Sequence, residues 1–188
     1  NRMTNQAQII KDCLRGDISA QRKLYEAFAE PMMGLCYRYT KSVQDAEDVL
    51  QEGFMRVFTH LKQYRGEGEL GAWIRRIMVN SSINYLKKNI HYRNEMVFSE
   101  PSLHPVIEET PELALQAKEI ASLIRQLPTG YQTVFNLHAI EGYSHVEIGK
   151  ILGISENTSR SQYMRARNLL SDWIKQWDEI NKSENYAR

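Results

Sequence analysis

The sequence is poor in cysteine, with two residues among 188. Cys13 and Cys36 stand far apart and fit no metal-ligand spacing, so we predict that both are reduced, structural thiols. No apolar run approaches the roughly 18 residues that are needed to span a bilayer. The amino-terminal residues also lack the apolar core of a signal peptide, which predicts a cytoplasmic protein without membrane insertion.

The sequence also lacks the alternation of β-branched residues that marks strands. Apolar residues recur instead at spacings of three and four, which predicts an all-α fold. Hydrophobic residues make up 42% of the chain and charged residues 25%. A packed core is therefore feasible, and the composition does not match that of a disordered chain.

The net charge of +1 is small but unevenly distributed. Residues 26–52 hold two basic and six acidic side chains, whereas residues 53–88 hold seven basic and two acidic ones. Residues 91–110 are acidic again, with one basic and four acidic side chains, and residues 156–175 hold four basic and two acidic ones. Blocks of this size predict several different contact surfaces.

Four helices are predicted before residue 90. The first ends at Gly16, and the second covers about residues 19–40, where Pro31 should kink or split it. Ser42 is expected to cap a third helix that reaches about residue 63. After a loop with three glycines, a fourth helix should cover residues 72–88.

Residues 91–110 contain Pro101 and Pro105, which forbid a continuous helix, and no apolar period survives there. We predict an extended acidic linker over this range. It would join two small helical domains, at residues 1–90 and 111–188.

The second domain has its own start and stop signals. Thr110 and Pro111 should begin a helix that ends before Pro128. Two capping boxes are predicted for the helices that follow, and after them come a glycine that ends a helix and a final cap. The residues concerned are Thr129 with Gln132, Ser144 with Glu147, Gly153, and Ser155, which should cap a last helix to about residue 177.

Residues 143–167 place two short helical patterns around Gly153, as in a helix-turn-helix motif. The outward face of the second helix is polar and basic, and an arginine there can hold guanine with two hydrogen bonds in the major groove. Ser155 and the free N–H groups of the first turn suit a phosphate. An ordinary helical hairpin with a solvated basic face is the alternative. The outward residues are Asn157, Arg160, Ser161, Met164 and Arg165.

Residues 63–88 combine a glycine loop with a polar stripe. Tyr64, Arg65 and Trp73 surround the loop, and aromatic groups beside Asn and Arg suit the stacking and edge-reading of unpaired bases. A core tryptophan, a surface helix and a flexible loop form the alternative interpretation. The stripe, at helical spacings of three and four, comprises Arg76, Asn80, Asn84, Lys87 and Lys88.

An acidic cluster on the third helix holds Asp45, Glu47, Asp48 and Glu52. It could bind a metal for hydrolysis, but no histidine follows any of these carboxylates at the Glu-x-x-His spacing of di-iron bundles. A solvated helix or a docking surface for a basic protein fits better. The five histidines form no zinc signature, and no nucleophile elbow or phosphate loop is present. We therefore predict no catalytic residue, metal or cofactor.

Three segments in order resemble the bacterial RNA polymerase sigma factors of the extracytoplasmic-function (ECF) group, over about residues 24–88 and 112–173. The core-polymerase-binding helix of that family is similar to DAEDVLQEGFMRVF. Its minus-ten recognition and melting segment is similar to YRGEGELGAWIRRIMVNSSINYLKK. Its minus-thirty-five domain is similar to LPTGYQTVFNLHAIEGYSHVEIGKILGISENTSRSQYMRAR.

The resemblance implies a role for each set of residues. The first set would dock on the clamp helices of the polymerase β′ subunit: Asp45, Asp48, Gln51 and Glu52. The second would capture a flipped promoter base and hold the opened strand: Tyr64, Arg65, Gly66, Glu67, Trp73, Arg76, Asn80, Asn84, Lys87 and Lys88. The third would bind the upstream element: Ser155, Thr158, Arg160, Ser161, Met164 and Arg165.

The resemblance further implies contact with the polymerase β flap, an acidic linker threaded toward the polymerase channels, and an inhibitory anti-sigma factor. The sequence departs from the family at four positions. Ser159 replaces an apolar residue, which should weaken packing there or shift the helix. Gln162 stands where a basic residue is common, and Asn84 stands where a carboxylate is common. Met164 stands at a position that is often His or Phe. A conventional helix-turn-helix regulator and, more distantly, a metal-dependent hydrolase at Asp45, Asp48 and Glu52 remain alternatives.

Overall fold

The computed structural model describes residues 2–88 and 115–186, with side-chain surroundings over residues 6–88 and 118–177. Every element in these ranges is helical, so the predicted all-α class is confirmed. The chain divides into two compact units, Asn1–Lys88 and Asn89–Arg188. The predicted acidic linker lies outside the described residues. No helix in the described ranges is both long enough and apolar enough for a transmembrane span.

The first unit is a bundle of four helices. Asp17 caps the second helix by accepting from the N–H groups of Ser19 and Ala20 at 2.8 and 3.3 Å. Ser42 accepts from the N–H of Asp45 at 3.1 Å, which confirms the predicted cap of the third helix. The helices are α1 (Arg2–Leu14), α2 (Ile18–Tyr39), α3 (Val43–His60), followed by a 3₁₀ turn (Leu61–Gln63), and α4 (Leu70–Lys88).

The core of this unit lies where α2, α3 and α4 pack on one another. Leu35, Val49, Val57, Ile74 and Met78 are fully or almost fully buried there. The apolar spacing of three and four therefore places one side of each helix in the core and leaves the polar faces of α3 and α4 on the surface.

Both cysteines are buried and unpaired in this unit. Burial raises the pKa of the Cys36 thiol to about 12, against a smaller opposing effect of its hydrogen bond with Ser82. Burial also raises the pKa of Cys13, and the nearby carboxylates of Asp17 and Asp12 raise it further. Both thiols are therefore protonated near neutral pH.

Pro31 was expected to kink or split the second helix, and it does not split it, because α2 runs unbroken from Ile18 to Tyr39. Pro31 is exposed. Solvent can therefore hydrogen-bond the carbonyl that the missing N–H of proline leaves without its usual partner.

Residues 115–186 of the second unit form four more α-helices. The core holds Leu127 and Ala166, both fully buried, together with Tyr131, Leu170 and Trp173. The helices are α5 (Leu115–Gln126), α6 (Thr129–Phe135), which continues as a π-helical segment (Asn136–Ile140), α7 (His145–Leu152) and α8 (Glu156–Tyr186).

Two predictions for this unit need correction. Thr129 and Gln132 do not form a capping box, because Pro128 occupies the N-cap position and makes no side-chain cap bond. Thr129 is instead the first helical residue, and its carbonyl accepts from the Thr133 hydroxyl at 2.7 Å. The last helix also continues past the predicted end near residue 177, to Tyr186.

Candidate nucleic-acid interfaces

The helix-turn-helix of the second unit is formed by α7 and α8. Ser144 and Glu147 make the predicted capping box at the start of α7. Gly153 ends α7 with φ 71°, in the left-handed region that favours glycine. The hydroxyl of Ser155 then accepts from the N–H of Thr158 at 3.0 Å and so caps α8 as predicted. These local bonds fix where the second helix begins relative to the first.

Gly149 is a residue of this motif that sequence reasoning missed. Its carbonyl accepts from the N–H groups of Gly153 and Ile154 at 2.9 and 3.1 Å. A Cβ atom at position 149 would lie 2.7 Å from the carbonyl oxygen of Ile154. The turn therefore packs directly on the backbone of α7. A glycine four residues before the turn glycine was the available signal.

The predicted DNA-reading residues share the outward face of α8. Arg160, Ser161, Met164 and Arg165 are exposed, and Thr158 is half-buried. Met164 is 62% exposed, a high value for a large apolar side chain. Spacings of three and four residues place these side chains on one stripe, which leaves the stripe open to a ligand.

Several of these side chains are already held by bonds within α8. Both Nε and Nη2 of Arg160 donate to Glu156 Oε1, at 3.0 and 2.6 Å. The hydroxyls of Ser155 and Thr158 share a hydrogen bond of 2.8 Å, and the hydroxyl of Ser161 donates to the carbonyl of Thr158 at 3.1 Å. The first turns of α8 thus present a partly fixed set of polar groups.

The glycine loop of the first unit is closed by Tyr64. Its hydroxyl donates to the carbonyl of Gly68 at 2.7 Å, and its ring lies 5.5 Å from that of Trp73. Gly66 and Gly68 adopt φ values of 75° and 81°, which other residues rarely adopt. The loop is therefore a defined turn beside two aromatic rings, while Arg65 and Glu67 within it are exposed.

The polar stripe of α4 follows this loop. Arg76, Asn80, Lys87 and Lys88 are exposed, and Asn84 is half-buried. Trp73 is also half-buried and is therefore neither a full core residue nor a free surface ring. The structure brings the loop and stripe residues together on one helix and its preceding turn.

A groove with an apolar floor and an acidic rim lies between α2 and α3. Tyr25, Phe54, Met55 and Phe58 contribute to its lining beside Glu47, Asp48 and Gln51. Met55 is 67% exposed and Tyr25 is 40% exposed. Sequence reasoning found the carboxylates but missed Tyr25 and Met55, although Met55 stands one helical turn after Gln51.

Two members of the predicted sets are paired with each other. Glu52 Oε1 lies 2.6 Å from Arg56 Nη2 and 3.6 Å from Lys88 Nζ. The hydrogen bond from Arg56 lowers the pKa of Glu52 most, and Lys88 adds to the effect. Over the described ranges, no group of three or more His, Cys, Asp or Glu residues could hold a metal ion, so no geometry favours the hydrolase alternative.

Known proteins match this arrangement along most of its length. Residues 24–90 match the family model of Sigma-70 region 2, and residues 117–170 match that of Sigma-70, region 4. The chain is 30% identical over 183 residues to the ECF RNA polymerase sigma-E factor of Haemophilus influenzae, covering 92% of this chain and 96% of that protein. It is also 30% identical over 172 residues to the ECF RNA polymerase sigma factor SigW of Bacillus subtilis, covering 86% and 92%.

This chain is an ECF sigma factor. A co-crystal structure of the sigma factor RpoE with the anti-sigma factor NepR from Bartonella quintana matches with a TM-score of 0.50 and 20% identity. That match covers 82% of this chain and 96% of the other, and it supports the fold alone. The match to region 2 separates this sigma factor from a conventional regulator, for which a helix-turn-helix alone would suffice.

The sigma factor has a polar and aromatic cluster behind its helix-turn-helix. Ser159 is fully buried, and its hydroxyl shares a hydrogen bond of 2.9 Å with Nδ1 of His145. The rings of His145 and His138 stack at 4.1 Å, and Tyr163 meets His138 edge-on at 4.5 Å. Nδ1 of His138 donates to the carbonyl of Tyr143 at 2.8 Å. The serine that replaces an apolar residue thus has a polar partner, which the sequence did not indicate.

This cluster predicts that the second unit loses stability in mild acid. Burial lowers the pKa of His145 most, the charges of His138 and Arg160 lower it further, and Glu156 opposes them. The folded pKa thus lies below the ordinary value of about 6.5. The unfolded chain therefore binds the proton first, and the contribution to stability is complete above that value and lost as the pH falls through the folded pKa.

Unfolding by urea at about pH 7.5 and at about pH 5 tests this prediction in a Trp73→Phe background, where the remaining tryptophans, Trp173 and Trp177, both lie in the second unit. We expect a lower midpoint at the acidic pH, and a smaller difference after His145→Gln. An unchanged difference in that variant would assign the acid sensitivity to other groups.

Proposed function

We propose that this sigma factor binds core RNA polymerase, directs it to promoters with minus-thirty-five and minus-ten elements, and helps to open the second of these. The observation that carries the proposal is the order of two matched regions with distinct surfaces. The first holds an acidic groove and an aromatic loop with a basic stripe, and the second holds a helix-turn-helix. A protein that only bound duplex DNA would not need the first.

Each surface has a proposed partner. Asp45, Asp48, Gln51 and Glu52, with the apolar groove beside them, bind the polymerase β′ clamp helices, and the second unit contacts the β flap. Because Glu52 is already paired with Arg56 and Lys88, the exposed side chains of Asp48 and Gln51 are better placed to meet a partner directly.

The loop and the polar stripe of the first unit bind the opened DNA strand. One unstacked base enters beside Tyr64 and Trp73, where ring stacking contributes about 1–3 kcal/mol per base. This offsets an unstacking cost of a few kcal/mol. Arg65, Glu67, Arg76 and Asn80 line the path, and Lys87 and Lys88 neutralise phosphates. The outward stripe on α8 binds the duplex of the upstream element.

Neither unit binds DNA tightly alone in this proposal. Both are carried by the polymerase, so binding at one element raises the effective concentration of the other unit at its element. The protein acts in the cytoplasm, catalyses no reaction itself and needs no cofactor. An anti-sigma factor would inhibit it by covering the polymerase-binding groove.

Run-off transcription from genomic fragments, by core polymerase with and without the purified chain, tests the proposal. We expect discrete transcripts only when the chain is present. A gel shift without polymerase is the control for the rival function. Tight, sequence-specific binding of palindromic duplex by the chain alone, with no effect on transcription, would identify a conventional regulator instead.

Tyr64→Phe tests the role of the loop with the loss of one oxygen atom. The ring beside Trp73 remains, but the bond to the Gly68 carbonyl is lost, at a cost of about 0.5–1.5 kcal/mol to the ordered loop. We expect normal polymerase binding and weaker permanganate reactivity of thymines at the minus-ten element. Equal reactivity would show that the loop needs no such closure.

A further inference from the structure

The guanidinium of Arg160 is bonded to a carboxylate before any DNA is present. Nε and Nη2 both donate to Oε1 of Glu156. These two bonds occupy the edge of the guanidinium that Nε and Nη2 form. The two bonds to Glu156 leave unused the edge formed by Nη1 and the second hydrogen of Nη2, and that edge can donate two parallel bonds to O6 and N7 of a guanine.

Glu156 stands where its charge is favoured. It is the first residue of α8, directly after the cap Ser155, and the amino-terminal end of a helix dipole stabilises a negative charge. The side chains of Glu156 and Arg160 are 43% and 60% exposed. An exposed ion pair of this kind adds little to stability, so the pair is better explained by what it does to the arginine.

We propose that Glu156 is a positioning residue that sets Arg160 to read a single guanine of the upstream element. This inference rests on the proposed function. An arginine that is ordered in advance loses less side-chain freedom on binding. The carboxylate also keeps the guanidinium from turning to a phosphate, where it would add affinity without sequence information.

This role predicts effects of opposite sign. Removing the charge of Glu156 should raise binding to unrelated duplex, because a negative group near the phosphates is lost. The same change should reduce discrimination at one base pair, because Arg160 is no longer fixed. If Glu156 had a purely structural role, its replacement would lower both the binding to unrelated duplex and the discrimination at that base pair.

Selection of upstream elements from a randomised library by reconstituted holoenzyme is the test. Arg160→Ala identifies the base pair that this arginine reads. We expect Glu156→Gln to reduce the preference at that same base pair by about two- to tenfold, the effect of ordering one long side chain, and to raise binding to unrelated duplex. Glu156→Asp keeps the charge but is one carbon shorter, so it should reduce the preference alone. Asp172→Asn, later on α8, is the matched control and should change neither.

In the Arg160→Ala background, Glu156→Gln should have no further effect on base preference. The inference is wrong if Glu156→Gln leaves the preference at that base pair intact, or if it lowers preference at several base pairs in both backgrounds. The selection is done first with wild-type holoenzyme. If it selects no upstream element at all, the proposed function fails, and this failure is distinct from a failure of the role of Glu156.

Discussion

Gly149→Ala should destabilise the second unit by about 1–3 kcal/mol or more, the range found when atoms are forced into a packed site. The added Cβ would lie 2.7 Å from the Ile154 carbonyl oxygen. That oxygen belongs to the backbone of the turn and cannot rotate away as a side chain would. We therefore expect the turn to open and α8 to lose its fixed start, with loss of upstream-element binding. Urea unfolding followed by tryptophan fluorescence, in the Trp73→Phe background, measures the change.

Gly34→Ala is the matched control for this substitution. Gly34 lies inside α2, and nothing lies within 4 Å of a Cβ placed there. Alanine is preferred over glycine in a helix by about 1 kcal/mol, so circular dichroism should show equal or greater stability of the first unit. Unfolding of Gly149→Ala at the wild-type urea concentration would mean that the turn can move away without cost.

Arg165→Ala should weaken binding of the holoenzyme to the upstream element by about 1–3 kcal/mol, which corresponds to roughly five- to 150-fold in affinity. Arg165 is exposed on the outward stripe of α8 between Met164 and the buried Ala166. Competition between cognate and single-base variant promoters measures both the affinity and the position that it reads. We expect the preference to be lost at a single base pair.

Arg167→Ala provides the comparison on the same helix. The Arg167 guanidinium lies 5.9 Å from the centre of the Tyr163 ring. We therefore expect this change to leave base preference intact. If Arg165→Ala and Arg167→Ala reduce the affinity for the upstream element equally, α8 contributes only general positive charge. The assignment of Arg165 to a base would then be wrong.

Local signals in the sequence predicted most of the elements. Ser42, Ser144 and Ser155 each cap a helix as their spacing to the following residues indicated. Gly153 ends α7 in the left-handed conformation. These features depend on bonds between residues three or four apart, so a pattern over a few residues contains the necessary information.

Other features depend on contacts that short patterns do not contain. Thr129 has the residue type of a cap, yet Pro128 takes that position in the fold. The π-helical segment after Phe135 adds one residue per turn without any sequence signal. The hydrogen bond between Ser159 and His145 joins residues fourteen apart in the chain. The groove beside the acidic cluster requires α2 and α3 to be placed together. The roles of the predicted DNA-contacting residues remain predictions.

The state of the two cysteines has a consequence for how this protein can be controlled. A peroxide or an alkylating agent attacks the thiolate form of cysteine, and Cys36 is both fully buried and protonated at neutral pH. Cys13 is also buried, and burial together with Asp17 and Asp12 raises the pKa of its thiol. A signal that acts through a cysteine thiolate therefore finds no accessible target in the described part of the first unit, and a thiol-based signal must be sensed by another molecule.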